Sequence, residues 1–118
     1  MAVARQVLDT YPADLGGIDS QQLAAWIEAC YECARACTAC ADACLSEETV
    51  DQLRTCIRTD LDRADVCEAT GRVLSRHTGY DANPTRAVLE ACATACRACG
   101  DEREGHAAMH EHCRVCAE

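Results

Sequence analysis

Cysteine occupies the inward positions of the strongest hydrophobic pattern in this chain, where a helix would normally carry leucine. Five cysteines follow one another at intervals of three, four, three and four residues, which is the period of one face of an α-helix. Upstream, the same face continues into Leu23, Trp26 and Ile27, which we expect to face a core. The stripe of thiols is formed by Cys30, Cys33, Cys37, Cys40 and Cys44.

Capping residues predict the ends of the first two long helices. Asp19 followed by Gln22 resembles a capping box, which predicts a first long helix over Ser20–Leu45. Ser46 is then predicted to cap a second helix over residues 47–76. The cysteines on one face of this second helix are Cys56 and Cys67.

Proline and glycine mark the other boundaries. A short amphipathic helix is predicted over residues 4–11, ended by Pro12. Residues 77–84 form the longest predicted loop, and Asn83 is expected to cap a third helix that has Pro84 as its first residue and Gly105 as its end. The residues on one line of this third helix are Val88, Leu89, Cys92, Cys96 and Cys99.

A fourth helix is predicted from about Ala107, and it is short beside its longer partners. We expect either that the chain is truncated or that its last helix relies on a neighbouring subunit. Its cysteines are Cys113 and Cys116. Together, the four patterns predict an all-α fold: an antiparallel up-down four-helix bundle with a cysteine-lined core and a short N-terminal helical segment. We expect one domain over residues 1–118, with residues 1–19 as a cap on the bundle.

The net charge and the N-terminal sequence limit the partners and the cellular compartment that we expect for this chain. A net charge of −9 argues against nucleic acid and against an anionic membrane surface as partners, because both are bound through basic patches. The N-terminus has an early Asp9 and no apolar run of signal-peptide length, so we expect a cytoplasmic protein. In that compartment a chain with 12 cysteines is more often metal-binding than disulfide-bonded.

Four kinds of chemistry compete for the thiols. Disulfides fit poorly because cysteines four residues apart on one helix have nearly parallel Cα–Cβ bonds. Iron–sulfur clusters fit poorly because the ferredoxin cysteine run is absent. Zinc prefers four ligands, so thiolates that fill zinc sites leave excess negative charge in the core, whereas Cu(I) accepts two or three sulfurs and balances them about one to one. Thiols spaced along one helix wall also favour Cu(I), since tetrahedral zinc would need helices to converge at every site.

A cluster of soft ligands precedes the last cysteines. Imidazole and thioether groups both bind copper, so this end of the bundle is interpreted as an entry port or an additional site. An exposed turn that happens to be rich in histidine is the alternative. The residues are His106, Met109, His110 and His112.

The cysteine blocks resemble the cytosolic bacterial family of cysteine-rich, four-helix-bundle copper storage proteins. The resemblance is carried by IEACYECARACTACADACL at residues 27–45, CIRTDLDRADVC at 56–67, EACATACRACG at 90–100 and the ending HEHCRVCAE. It implies storage of several Cu(I) ions without catalysis, usually in a tetramer of bundles, with copper donor or acceptor proteins as partners. The implied ligands are all twelve cysteines, with His110 and His112 in the histidine-rich turn.

Three positions depart from the family pattern. Leu89, Arg63 and Arg103 stand where related sequences often carry cysteine, so a lower copper capacity is expected. A buried, unpaired guanidinium is costly, and we expect Arg63 to pair with Asp60 or a thiolate, or to extend outward. Two alternatives to copper storage remain at this point, a thiol redox protein and a zinc-binding structural module.

Overall fold

The computed structural model describes residues 2–12 and 19–104. Four α-helices and one 3-10 helix lie in these ranges, and the described residues contain no strand. The helices are α1 (Ala2–Asp9), α2 (Ser20–Leu45), α3 (Arg54–Leu74) and α4 (Ala82–Glu104), with the 3-10 helix at Val50–Leu53 before α3. The predicted all-α helical bundle is confirmed. The predicted fourth bundle helix, which is short and carries Cys113 and Cys116, lies outside the described residues.

Helix α3 is the central element of the described bundle. It packs against α2 on one side and α4 on the other, while α1 packs against α2. Among the described helices, none combines the length and the apolar character that crossing a membrane requires. The packing of α2 and α4 against α3 brings the cysteine stripes of these three helices toward a shared interior.

Helix α2 begins and ends where the sequence predicts. The Asp19 carboxylate accepts hydrogen bonds from the backbone N–H groups of Gln21 (3.0 Å) and Gln22 (3.4 Å), which satisfies two of the free donors at the helix start. At the other end the backbone N–H of Ser46 donates to the carbonyl of Ala43 at 3.1 Å. Ser46 therefore ends α2, and the prediction that it caps the next helix is wrong.

The starts of α3 and α4 also differ from the prediction. The chain needs a turn and the 3-10 helix to reverse direction after α2, so α3 begins at Arg54 rather than near residue 47. Helix α4 begins two residues earlier than predicted. The Asp81 carboxylate accepts a hydrogen bond from the backbone N–H of Asn83 at 2.9 Å, as an N-cap does. Pro84 then lies in the first turn, where its missing N–H costs nothing.

Two buried clusters divide the interior. The apolar end is built from α1, the start of α2 and the end of α3, and the thiol core occupies the rest of the bundle. The apolar end consists of Leu8, Leu23, Ala24, Ile27 and Leu74. The hydrophobic cluster of the thiol core consists of Cys37, Cys40, Cys44, Leu53, Cys56, Ala64 and Cys99.

Two predicted core residues lie outside these clusters. Trp26 is 51% exposed and Leu89 is 42% exposed. The buried face of α2 at the apolar end is Leu23, Ala24 and Ile27, and Trp26 is rotated by about 100° from its neighbour Ile27, which turns it away from this face. His77, in the loop after α3, is partly buried and packs edge-on against the Tyr11 ring at 5.6 Å between centroids.

Candidate metal centre

All ten described cysteines face the interior. No disulfide joins cysteines within the described residues, and each of the ten is either buried or partly buried. They come from α2, α3 and α4, and α3 contributes only Cys56 and Cys67. The inward placement agrees with the spacing of the cysteines in the sequence, while their role as ligands stays a prediction.

Thiols from three helices converge around Cys67. The Cys67 thiol donates to the sulfur of Cys33 at 3.3 Å, and its sulfur lies 3.7 Å from that of Cys92 and 3.9 Å from that of Cys96. The sulfurs of Cys33, Cys67 and Cys96 all lie within 4.8 Å of one another. Cys30 interacts with the same group through Cys92. We call Cys30, Cys33, Cys67, Cys92 and Cys96 the Cys67 cluster.

Hydrogen bonds and burial shift the pKa values of three thiols in this cluster in different directions. Donation by Cys37 and Cys67, helped by the nearby Arg63 guanidinium, lowers the pKa of Cys33 well below its usual range. The pKa of Cys67 is raised because its proton is held against Cys33, and burial adds to the effect. Burial, reinforced by Cys92, raises the pKa of Cys30 to about 11. Of these three thiols, Cys33 is therefore the one whose thiolate form is favoured.

A second group of ligand atoms surrounds a buried carboxylate. Asp60 is fully buried, and its Oδ1 accepts a hydrogen bond from the Cys99 thiol at 3.4 Å. A carboxylate oxygen of Asp60 lies within 4.8 Å of two pairs of sulfurs. We call Cys37, Cys40, Cys44, Asp60 and Cys99 the Asp60 cluster. The Cys33 and Cys37 sulfurs, 4.0 Å apart, connect the two clusters.

Asp60 is the candidate ligand that the sequence analysis missed. On the sequence alone, Asp60 interrupts the stripe of cysteines between Cys56 and Cys67 on the second helix. Its position carried the signal, because it lies four residues after Cys56 and seven before Cys67, on the same helix face as both. A carboxylate on a line of thiols is a metal-ligand pattern as well as an interruption.

Arg63 lies between the two clusters. Its partly buried guanidinium faces Cys33 and Cys37 on α2 and Cys96 and Cys99 on α4. Burial alone would lower the pKa of Arg63, but these thiols raise it above its ordinary value. Thiols, which were among the partners expected for Arg63, therefore lie close to its guanidinium in the structure.

The convergence of helices corrects one argument against zinc. The spacing of the cysteines predicts thiols along separate helix walls, whereas the Cys67 cluster contains sulfurs from α2, α3 and α4. Tetrahedral zinc is therefore not excluded by geometry in this cluster. The charge argument for Cu(I) is unaffected, because it depends on the number of thiolates and not on their helices.

Comparison with known proteins decides the family. The profile that describes copper storage proteins matches residues 19–118. The chain belongs to the copper storage protein family. This membership favours copper storage over both alternatives, the zinc module and the thiol redox protein.

Solved and curated relatives agree with this assignment. A structure of the copper storage protein Ccsp from Streptomyces lividans, described as loaded with 10 copper equivalents, is 70% identical to the chain with a TM-score of 0.94, covering 97% of this chain and 86% of that one. A second Ccsp structure, described as cytosolic and carrying five coppers, is 72% identical with a TM-score of 0.83, covering 86% of this chain and 85% of that one. The cysteine-rich protein YhjQ of Bacillus subtilis is 35% identical over 94 residues, which are 80% of this chain and 82% of that protein.

Proposed function

We propose that this chain stores several Cu(I) ions on its core cysteines and thereby buffers or detoxifies copper. The observation that carries the proposal is the convergence of sulfurs from three helices, within 4.8 Å of one another, in an interior without a disulfide among the described residues. Soft thiolates select Cu(I), and sulfurs at these separations need only small movements to bridge metal ions. The proposed ligands are the ten described cysteines together with Cys113 and Cys116.

The two clusters differ in the ligands that they offer. The Cys67 cluster is all sulfur, so we assign it the softest sites. The Asp60 cluster adds one carboxylate oxygen, a harder and weaker donor for Cu(I). The proposal also includes a copper entry port or additional site in the part of the chain beyond the described residues, formed by His106, Met109, His110 and His112.

Storage requires many ligands and no turnover, so we assign no catalytic residue to this chain. We further propose that it is a single domain that works in the cytoplasm as a homo-oligomer, a tetramer by resemblance to its family. Copper donor and acceptor proteins complete the proposed partners. Nucleic acid and membranes are not among them, because the net charge is −9.

Titration of the reduced protein with Cu(I) under anaerobic conditions tests the proposal. A chromophoric chelator competes for the metal, and we expect a plateau near about one Cu(I) per cysteine. Replacing Cys33, Cys67 and Cys96 by serine should lower the plateau by about three ions. The exposed Glu32→Gln change beside Cys33 is the matched control and should leave it unchanged.

Zinc supplies the opposing outcome. A saturation at three metal ions or fewer, with Zn(II) preferred over Cu(I) in competition, would refute copper storage and return the zinc module as the explanation. Loss of helicity on chelation, followed in the far-ultraviolet circular dichroism spectrum, would support the same alternative.

A further inference from the structure

A permanent positive charge lies inside the thiol core. Arg63 reaches from α3 toward two thiols of the Cys67 cluster, Cys33 and Cys96, and two of the Asp60 cluster, Cys37 and Cys99. A guanidinium keeps its charge at every physiological pH. Arg63 is therefore a charged group that both proposed copper-binding clusters share.

The surroundings of Arg63 differ from those of arginines on the outer helix faces. Arg58, one turn earlier on α3, is exposed and pairs with Asp62 at 2.9 Å between Nη1 and Oδ2. Arg63 is partly buried, and its Nε is a buried atom without a hydrogen-bond partner among the described residues. Partial burial of a guanidinium is costly unless opposite charge compensates it. Four thiols face this one, and their thiolate forms are groups that can compensate it.

The charge of a copper–thiolate core is set by simple counting. Each thiolate contributes −1 and each Cu(I) contributes +1, so equal numbers give a neutral core. A fixed +1 in the core replaces one metal ion in this balance. Asp60 is present in every variant considered below, so the set of ligand atoms is the same in all of them.

We propose that Arg63 is a built-in counter-charge that allows the core to saturate with one Cu(I) fewer than its ligands would otherwise require. The inference rests on the proposed storage of Cu(I) and adds what limits the number of ions. Excess thiolate near α3 is neutralised by the guanidinium instead of by a further metal ion. The charge of this side chain, and not its volume, is the property that matters.

Two neutral substitutions and one charged substitution test the proposal. Arg63→Gln and Arg63→Leu remove the charge without adding a copper ligand, whereas Arg63→Lys keeps it. Arg58→Gln is the control on the exposed side of the same helix. Native mass spectrometry of the anaerobic, Cu(I)-saturated proteins counts the ions, and circular dichroism of the metal-free proteins verifies that each variant is helical.

We expect Arg63→Gln and Arg63→Leu to saturate with about one more Cu(I) per chain than the wild type, and Arg63→Lys and Arg58→Gln to match the wild type. Unchanged saturation in the neutral variants would overturn the counter-charge role. An equal gain in Arg63→Lys would also overturn it, because the gain would then come from the smaller volume of the side chain and not from the loss of its charge. If one neutral variant fails to fold, the other decides. A wild-type protein that binds only one or two ions would instead refute the proposed function itself.

Discussion

The apolar end and the thiol core both contain fully buried side chains, but the side chains are of different chemical types. At the apolar end, Ile27 is 2% exposed and packs among branched hydrocarbon side chains. In the thiol core, Cys37 and Cys56 are 0% exposed and fill the same kind of position with a small, polarisable group. Burial of a hydrocarbon side chain stabilises the folded state, whereas burial of a thiol becomes unfavourable once the thiol ionises.

The difference assigns separate tasks to the two ends. The apolar end can hold α1, α2 and α3 together in the absence of metal, because its contacts need no partner. In the thiol core, bound metal would fill the space that hydrocarbon side chains fill elsewhere and would neutralise the thiolates. Stability of the metal-free chain should therefore depend mainly on the apolar end, and the gain in stability on copper loading should come from the thiol core.

Copper loading should produce the largest effect. A ligand that binds only the folded state stabilises it by about 4 kcal/mol per site when its concentration is 1,000 times the dissociation constant, so several ions should raise the unfolding midpoint strongly. Guanidinium unfolding of metal-free and loaded protein, both anaerobic, measures this. Mg²⁺, which prefers oxygen ligands, is the control and should leave the midpoint unchanged. Equal midpoints with and without copper would contradict the division of tasks.

Truncation at the apolar end should come next. Ile27→Ala removes a side chain that is 2% exposed, and it should lower the free energy of unfolding of the metal-free protein by about 2–5 kcal/mol. The copper count at saturation should not change. Trp26→Ala, one residue earlier at 51% exposure, is the matched control and should cost much less. A loss of copper sites in Ile27→Ala would show that the two ends are not separate.

A glycine of α3 offers a smaller and more local test. A methyl group added at Gly71 would lie 3.0 Å from Cζ of Tyr31, which packs against the apolar end. Gly71→Ala should therefore destabilise the metal-free protein by about 1–3 kcal/mol, as overpacking does. Gly100→Ala has open space around its new methyl group and should instead stabilise α4 by about 0.5–1 kcal/mol. Urea unfolding compares them, and opposite signs are the expected result.

Rising pH should have the smallest effect, and it should act on the thiol core. The pKa of Cys30 is raised from 9.0 to about 11, so between these values the folded chain keeps a proton that the unfolded chain has released. The stability that the protonated Cys30 thiol contributes to the metal-free protein is therefore fully present below pH 9 and is lost as the pH rises toward 11. Cys30→Ser should reduce this fall in anaerobic urea unfolding at pH 8 and pH 10. A stability that increases over this range would contradict the direction of the shift.

Regular spacing made most of the fold predictable. The intervals between cysteines on α2 placed them on one face, and Asp19 with Leu45 bounded the helix where the structure has it. Capping residues predicted the helix boundaries less well, because the same residue type can end one helix or begin the next. Ser46 looked like the start of a helix, but its N–H completes α2, and Asp81 rather than Asn83 caps α4.

The sequence by itself determined that the chain forms helices lined with sulfur, because helical periodicity depends only on which residues are three and four apart. The choice of which sulfurs meet was left to the tertiary structure. Cys33, Cys67 and Cys96 are distant in the chain, and only the packing of α2, α3 and α4 brings them within 4.8 Å of one another. The contacts of Arg63 with thiols of two other helices and the exposure of Trp26 also follow from how each helix rotates against its neighbours, which residue spacing along one helix does not specify.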